Sequence, residues 1–219
     1  MHNIVQNLVD IQNKINSHLD EHKIDKVPKI IAVSKTFKIE KILPLIDHGH
    51  KHFGENKVQE AVDKWTEIKL SNPNIQLHLI GKLQTNKVKF ALKIFDYIHS
   101  VDSEKLAKKI SDEQIKINKK IKIFIQVNIG QEDQKSGTSV NELSSLISYC
   151  NKINLDVVGL MCIPPINEDP VSYFEKMKKL NEENKFTELS MGMSSDYLKA
   201  AMNNATYLRI GSSIFGQRY

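Results

Sequence analysis

Two short runs, far apart in the chain, carry the residue types that do covalent and anion chemistry. Lys29-Ile30-Ile31-Ala32-Val33-Ser34-Lys35 is an apolar, β-branched run closed by a lysine. Tyr207-Leu208-Arg209-Ile210-Gly211-Ser212-Ser213-Ile214-Phe215-Gly216 is a second, closing on an arginine and a glycine–serine turn. A lysine where a buried strand meets solvent offers an amine that condenses with a carbonyl carbon. Arginine, glycine backbone and hydroxyls together suit a phosphate. Alone, a lysine ending a strand is an ordinary solvated charge. Paired with the second run, it points to a Schiff base with an aldehyde that bears a phosphate.

These residues need elements that bring them together. Ile4, Leu8, Ile11, Ile15 and Leu19 recur at helical spacing, so residues 3–21 read as an amphipathic helix. Short β-rich runs then alternate with helical ones. The expected strands are Ile30–Ser34, His52–Gly54, Leu77–Ile80, Tyr97–Ser100, Ile121–Val127, Val157–Met161, Glu188–Met191 and Tyr207–Ile210. Ser103 opens one helix, and others span Ser139–Cys150 and Pro170–Glu183. An open doubly wound sheet and a closed (β/α)8 barrel both fit this α/β alternation. The count of eight strands favours the barrel. So does the stretch Ser212–Tyr219 after the last strand, too short for a full outer helix. The N-terminal helix, with no strand before it, is free to cover that gap. No composition shift or linker divides residues 1–219, so one domain is expected.

In such a barrel the chemistry sits at the C-terminal ends of the strands. Closure makes the first and last strands neighbours, about 4.8 Å apart, and so brings Lys35 towards Arg209. Phosphate sites in these barrels use the loops after strands seven and eight. Here those are Ser190-Met191-Gly192-Met193-Ser194-Ser195-Asp196 and Gly211-Ser212-Ser213. Ser194 or Ser195 is placed to cap a helix over Tyr197–Met202, whose N-terminus would face an anion. Gly211 is read as a close backbone approach to it. Arg209 and Arg218 are the only arginines, so one that ends a buried strand calls for a reason.

Composition narrows the alternatives. With 40% hydrophobic and 26% charged residues, the 219-residue chain is an ordinary globular protein. The net charge of +5 is spread over scattered lysines, with no arginine-rich stripe or aromatic platform for nucleic acid. No apolar run is long enough to span a bilayer. The N-terminus has no secretory pattern, which makes the cytoplasm the default compartment. Cys150 and Cys162 lack metal-ligand spacing. His18-Leu19-Asp20-Glu21-His22 matches an H-x-x-E-H zinc pattern, but it lies at a helix end, away from any expected strand end. It reads as a solvated face, as His48, His50 and His52 read as a helix end, and no metal is expected.

Six segments carry a family resemblance. They are Ile31-Ala32-Val33-Ser34-Lys35-Thr36, Phe53-Gly54-Glu55-Asn56-Lys57-Val58-Gln59-Glu60, His78-Leu79-Ile80-Gly81-Lys82-Leu83-Gln84-Thr85-Asn86-Lys87, Gly159-Leu160-Met161-Cys162-Ile163-Pro164-Pro165, Leu189-Ser190-Met191-Gly192-Met193-Ser194 and Arg209-Ile210-Gly211-Ser212-Ser213-Ile214-Phe215-Gly216. In order, and over nearly the whole chain, they resemble the pyridoxal phosphate homeostasis protein family. Lys82 departs from the proline usual there, and Cys162 from a small residue. The resemblance implies a barrel similar to the N-terminal domain of bacterial alanine racemase. It implies pyridoxal 5'-phosphate held by Lys35 as an internal aldimine, with Arg209 facing the pyridine nitrogen. Ser190, Ser194, Gly211 and Ser212 would hold the phosphate, and Asn56 and His78 match motif positions near the cofactor.

Members of that family are thought to bind, buffer or deliver the cofactor, with no robust reaction of their own. The expectation is therefore a monomeric, non-catalytic carrier that serves cofactor-dependent apoenzymes. An arginine only donates, so it leaves the ring nitrogen unprotonated and the ring a weaker electron sink. A racemase also needs a second acid/base, which alanine racemase takes from another domain and which is not expected in these 219 residues. The competing readings are a small racemase-like enzyme on the same lysine, and a basic module that recruits a macromolecule.

Overall fold

The computed structural model describes residues 3–132 and 134–217. Eight parallel strands close into a barrel in sequence order. They are β1 (Lys29–Val33), β2 (His52–Glu55), β3 (Gln76–Leu79), β4 (Tyr97–Val101), β5 (Lys122–Gln126), β6 (Asp156–Met161), β7 (Glu188–Met193) and β8 (Tyr207–Ile210). Each expected strand is present, with ends moved by up to two residues. Closure runs through β1 and β8, where Ile31 pairs with Arg209 and Ala32 with Ile210.

Helices α1 (Asn3–Glu21), α2 (Ile39–Asp47), α3 (Val58–Ser71), α4 (Val88–Ile94), α5 (Glu104–Ile117), α6 (Leu143–Lys152), α7 (Val171–Glu183) and α8 (Tyr197–Met202) surround the sheet, and α9 (Ser212–Phe215) follows β8. The apolar stripe of α1 is buried at Ile4, Val5, Leu8, Ile11, Ile15 and Leu19. That helix packs on α9, α8 and α2, and the Asn7 amide donates to the Ile214 carbonyl at 2.9 Å. Ser103 caps α5 by accepting the Leu106 N–H. The helix expected from Ser139 starts later, at Leu143. Ser139 instead closes a turn, accepting the Glu142 N–H and donating to the Glu142 carboxylate. This local side-chain alternative competes with the helix.

Two cores result. The larger lies between sheet and helices and includes Ile15, Leu45, Trp65, Ile110 and Phe174, all 0% exposed. The smaller fills the barrel with Ile31, Tyr97, Phe124, Met161 and Tyr207. Strands buried on both faces in this way read as continuous apolar runs, which is why Ile30–Val33 and Ile123–Ile125 show no alternation.

Candidate functional site

At the C-terminal mouth of the barrel lies a cavity of about 620 Å³, lined by Lys35, Asn56, Ser194, Ser195, Arg209, Gly211 and Ser212 together with Val33, Ile80, Ile163, Met193 and Gln217. Closure alone brings its two halves together, since Lys35 follows β1 and Arg209 belongs to β8.

The backbone around Lys35 is tied down on both sides. Ser34, fully buried, donates to Glu55 Oε1 at 2.7 Å, and that oxygen also accepts from Trp65 Nε1 at 2.9 Å and Lys64 Nζ at 3.0 Å. Lys64 donates to the Ser34 carbonyl as well, at 3.0 Å. Beyond Lys35, Thr36 adopts a left-handed φ of 69° and donates its N–H to Glu60 Oε1 at 2.5 Å. A β-branched residue holds such a conformation only when its surroundings enforce it. Asn56 is placed by a close approach. A Cβ on Gly81 would lie 2.4 Å from the Asn56 carbonyl oxygen, so the turn after β3 passes there only as glycine.

Ser194 does not cap α8. The cap position is Asp196, whose Oδ1 accepts the Met193 N–H at 2.6 Å. Ser194 Oγ instead accepts the N–H groups of Gly211 and Ser213, both at 3.3 Å, and so ties the loop after β7 to the turn after β8. Gly211 is not demanded by its own backbone. Its φ is −117°, and a Cβ there would meet Val33 at an ordinary 3.4 Å.

Arg209 is buried, and burial pulls its pKa below the ordinary arginine value. One terminal nitrogen donates to Ser190 Oγ at 2.7 Å and the other to the Cys162 carbonyl at 2.8 Å. Guanidinium has five N–H donors, so these two bonds leave donors for the cavity that Arg209 lines. Burial also pushes the Cys162 thiol up to about 12, keeping it neutral.

Ser190 and His78 are not brought to the cavity wall. β7 runs two residues further than expected, to Met193, with an irregular register between Ser190 and Met193. Ser190 sits within the strand, 0% exposed, beneath Arg209. From it a chain of histidines crosses the barrel. His99 Nδ1 is 2.9 Å from Ser190 Oγ, His99 Nε2 is 3.0 Å from His78 Nδ1, and His78 Nε2 is 3.0 Å from His52 Nδ1. His78 stacks on Tyr97, and His99 on Phe124, each at 4.3 Å. Burial holds the pKa of His78 and His99 well below 6.5, helped by the charge of Arg209 at His99. Burial also lowers His52, to about 4, with neighbouring His50 and Lys29 acting in the same direction.

His99 and the Glu55–Lys64–Trp65 cluster were not singled out from sequence, and His52, grouped with His48 and His50 as a helix end, instead opens β2. One signal was available: successive strands β2, β3 and β4 each carry a histidine among apolar residues. His18, Glu21 and His22 do present ligand atoms within 4.8 Å of one another, but on the exposed end of α1, and none of them lines the cavity.

A parallel barrel with an amine and a buried arginine at its C-terminal mouth defines a class. The family model described as alanine racemase, N-terminal domain, matches residues 7–219, and the chain belongs to that family. It is 35% identical over 227 residues to a protein of Pasteurella multocida, covering 98% of this chain and 97% of that one. With an Aquifex aeolicus protein it shares 38% identity over 200 residues, 87% of each. Both relatives are named pyridoxal phosphate homeostasis protein, and within the racemase-domain family the chain belongs with them. The structure of PipY from Synechococcus elongatus with PLP bound superposes with a TM-score of 0.80 at 32% identity, covering 92% of this chain and all of that one. Alanine racemase of Clostridium difficile shares the fold, with a TM-score of 0.76 at 16% identity, and this chain spans 57% of it.

Proposed function

We propose that this protein binds pyridoxal 5'-phosphate covalently on Lys35 and works in its intracellular homeostasis, holding, buffering or delivering the cofactor without turning over a substrate. The observation that carries this reading is the meeting of Lys35 with Arg209, Ser194, Gly211 and Ser212 on one cavity. The donor set suits the group. Lys35 supplies the amine that joins the aldehyde carbon, with release of one water. Arg209 is braced from behind and offers donors only, which matches an unprotonated ring nitrogen. Ser194, Gly211 and Ser212 form the phosphate side, and Asn56 closes the wall beside Lys35. Ser190 and His78 act at one remove, through Arg209. When bound, the cofactor supplies an electrophilic carbon and a conjugated ring, and an arginine partner leaves that ring a poor electron sink.

The names of the relatives and the PLP-bound PipY structure support the same reading. We place the protein in the cytoplasm as a monomer that hands the cofactor to apoenzymes. No helix among the described residues is long and apolar enough to cross a membrane, and both cysteines are free and buried.

Purified protein is expected to be yellow, and borohydride should fix the cofactor to the peptide containing Lys35. A colourless protein that cannot be reconstituted overturns the reading. Turnover of free amino acids that disappears in Lys35→Ala overturns its non-catalytic part.

A further inference from the structure

The histidine chain beneath Arg209 has a direction that its bonding partners fix. A neutral imidazole has one N–H and one bare nitrogen, so it donates at one end and accepts at the other. Arg209 can only donate, and it does so to Ser190 Oγ. The hydroxyl proton of Ser190 therefore needs a different acceptor, and among the described residues the one other hydrogen-bond contact of that oxygen is His99 Nδ1 at 2.9 Å. His99 must then carry its proton on Nε2, facing His78 Nδ1, and His78 must carry its own on Nε2, facing His52 Nδ1. In the opposite direction His99 would donate to Ser190, whose own proton would be left without a partner in a fully buried site, an arrangement that costs free energy.

We propose that His52, His78 and His99 are positioning residues forming a tautomer-locked relay, all protonated on Nε2, that holds Ser190 as a fixed acceptor and thereby sets the Arg209 guanidinium at the cofactor site. The cofactor part of this inference rests on the function proposed above; the tautomer part does not. The chain works only while its rings stay neutral, because an imidazolium has no bare nitrogen to accept with. Burial keeps them so, since His78 and His99 are 0% exposed. Stacking on Tyr97 and Phe124 fixes the ring planes, and a half-turn about χ2 within those planes would put a carbon in place of Nδ1 and lose the bonds.

Two-bond 1H–15N correlation spectra of the cofactor-free protein, labelled at histidine and assigned by single substitutions, read the tautomers directly. The expected result is three neutral rings with bare Nδ1 and protonated Nε2. Any Nδ1–H tautomer, or an imidazolium, among the three at neutral pH overturns the relay. The positioning role is read on the loaded protein. Ser190→Ala removes one oxygen and is expected to weaken cofactor retention about tenfold, the size of one hydrogen bond to a charged group, and to shift the visible absorption of the bound cofactor. His99→Phe keeps the stack and should do the same, whereas His99→Gln, which offers an acceptor and a donor, should recover much of the retention. If Ser190→Ala and a folded His99→Phe change neither retention nor spectrum, the relay does not position Arg209. Because the tautomer spectra need no cofactor, a colourless protein and a failed relay are told apart.

Discussion

The two cores of this barrel are built on different rules. Outside the sheet, Trp65, Phe174 and their neighbours form an apolar layer in which shape and volume decide the energy. Inside, Tyr97, Phe124 and Tyr207 share the space with His78, His99, Ser190 and Arg209, and both ring nitrogens of His78 and of His99 have a hydrogen-bond partner in the chain. The outer layer tolerates a swap of similar volume. The inner column does not, since one lost partner leaves a buried donor or acceptor bare. The contrast separates stability, held mostly by the outer layer, from placement of the site, held by the inner one.

That separation can be broken by substitution. Phe174→Ala in the outer layer should cost about 3–5 kcal/mol, a Tm lower by roughly 10 °C, while leaving cofactor affinity unchanged; a matching loss of affinity would erase the distinction. Lys64→Met should cost about 3 kcal/mol by stranding the Glu55 carboxylate. It should also loosen cofactor retention through Ser34, and titration of the folded variant would show whether these two effects travel together.

Acid sharpens the comparison. His50 and His52 titrate at about 4 in the folded chain against an ordinary 6.5, with burial the main cause in both, and His78 and His99 are lowered in the same direction. Between those pH values the unfolded chain binds more protons, so stability is present above 6.5 and falls as the pH drops towards 4. The Tm should therefore decline over that window less steeply in His52→Asn than in the parent, as calorimetry at stepped pH would register. The smallest effect is expected at the rim. Ser194→Ala should weaken pyridoxal 5'-phosphate by about fivefold, near 1 kcal/mol, with little change for pyridoxal, which lacks the phosphate.

Much of the fold was legible because it is written locally. The run Lys29–Val33 has the apolar, β-branched signature of a strand covered on both faces, and the α1 stripe has the period of a helix face. The count of eight alternating strands pointed to closure, and closure joined Lys35 to Arg209. The end of β7 was less legible, because Gly192, with a positive φ of 86°, lets the strand run irregularly to Met193, past the expected end at Met191. The links of His52 and His99 to the barrel interior were missed for another reason. Their partners lie 26 and 91 residues away, and no local pattern records which strand interiors a barrel's tilt will stack. Glu55 carried no local sign that its carboxylate anchors Ser34 across two elements.

The pairing of β1 with β8 also sets an order of events during synthesis. Lys35 leaves the ribosome well before its neighbours on the cavity wall, Arg209, Gly211 and Ser212, which lie far downstream in the chain. At about 5–20 residues per second, the amine waits on the order of ten seconds or more for the rest of its site. A nascent chain stopped before Tyr207 lacks the strand that closes the barrel, so cofactor captured from a translating pool would mark only chains in which the last strand has been made.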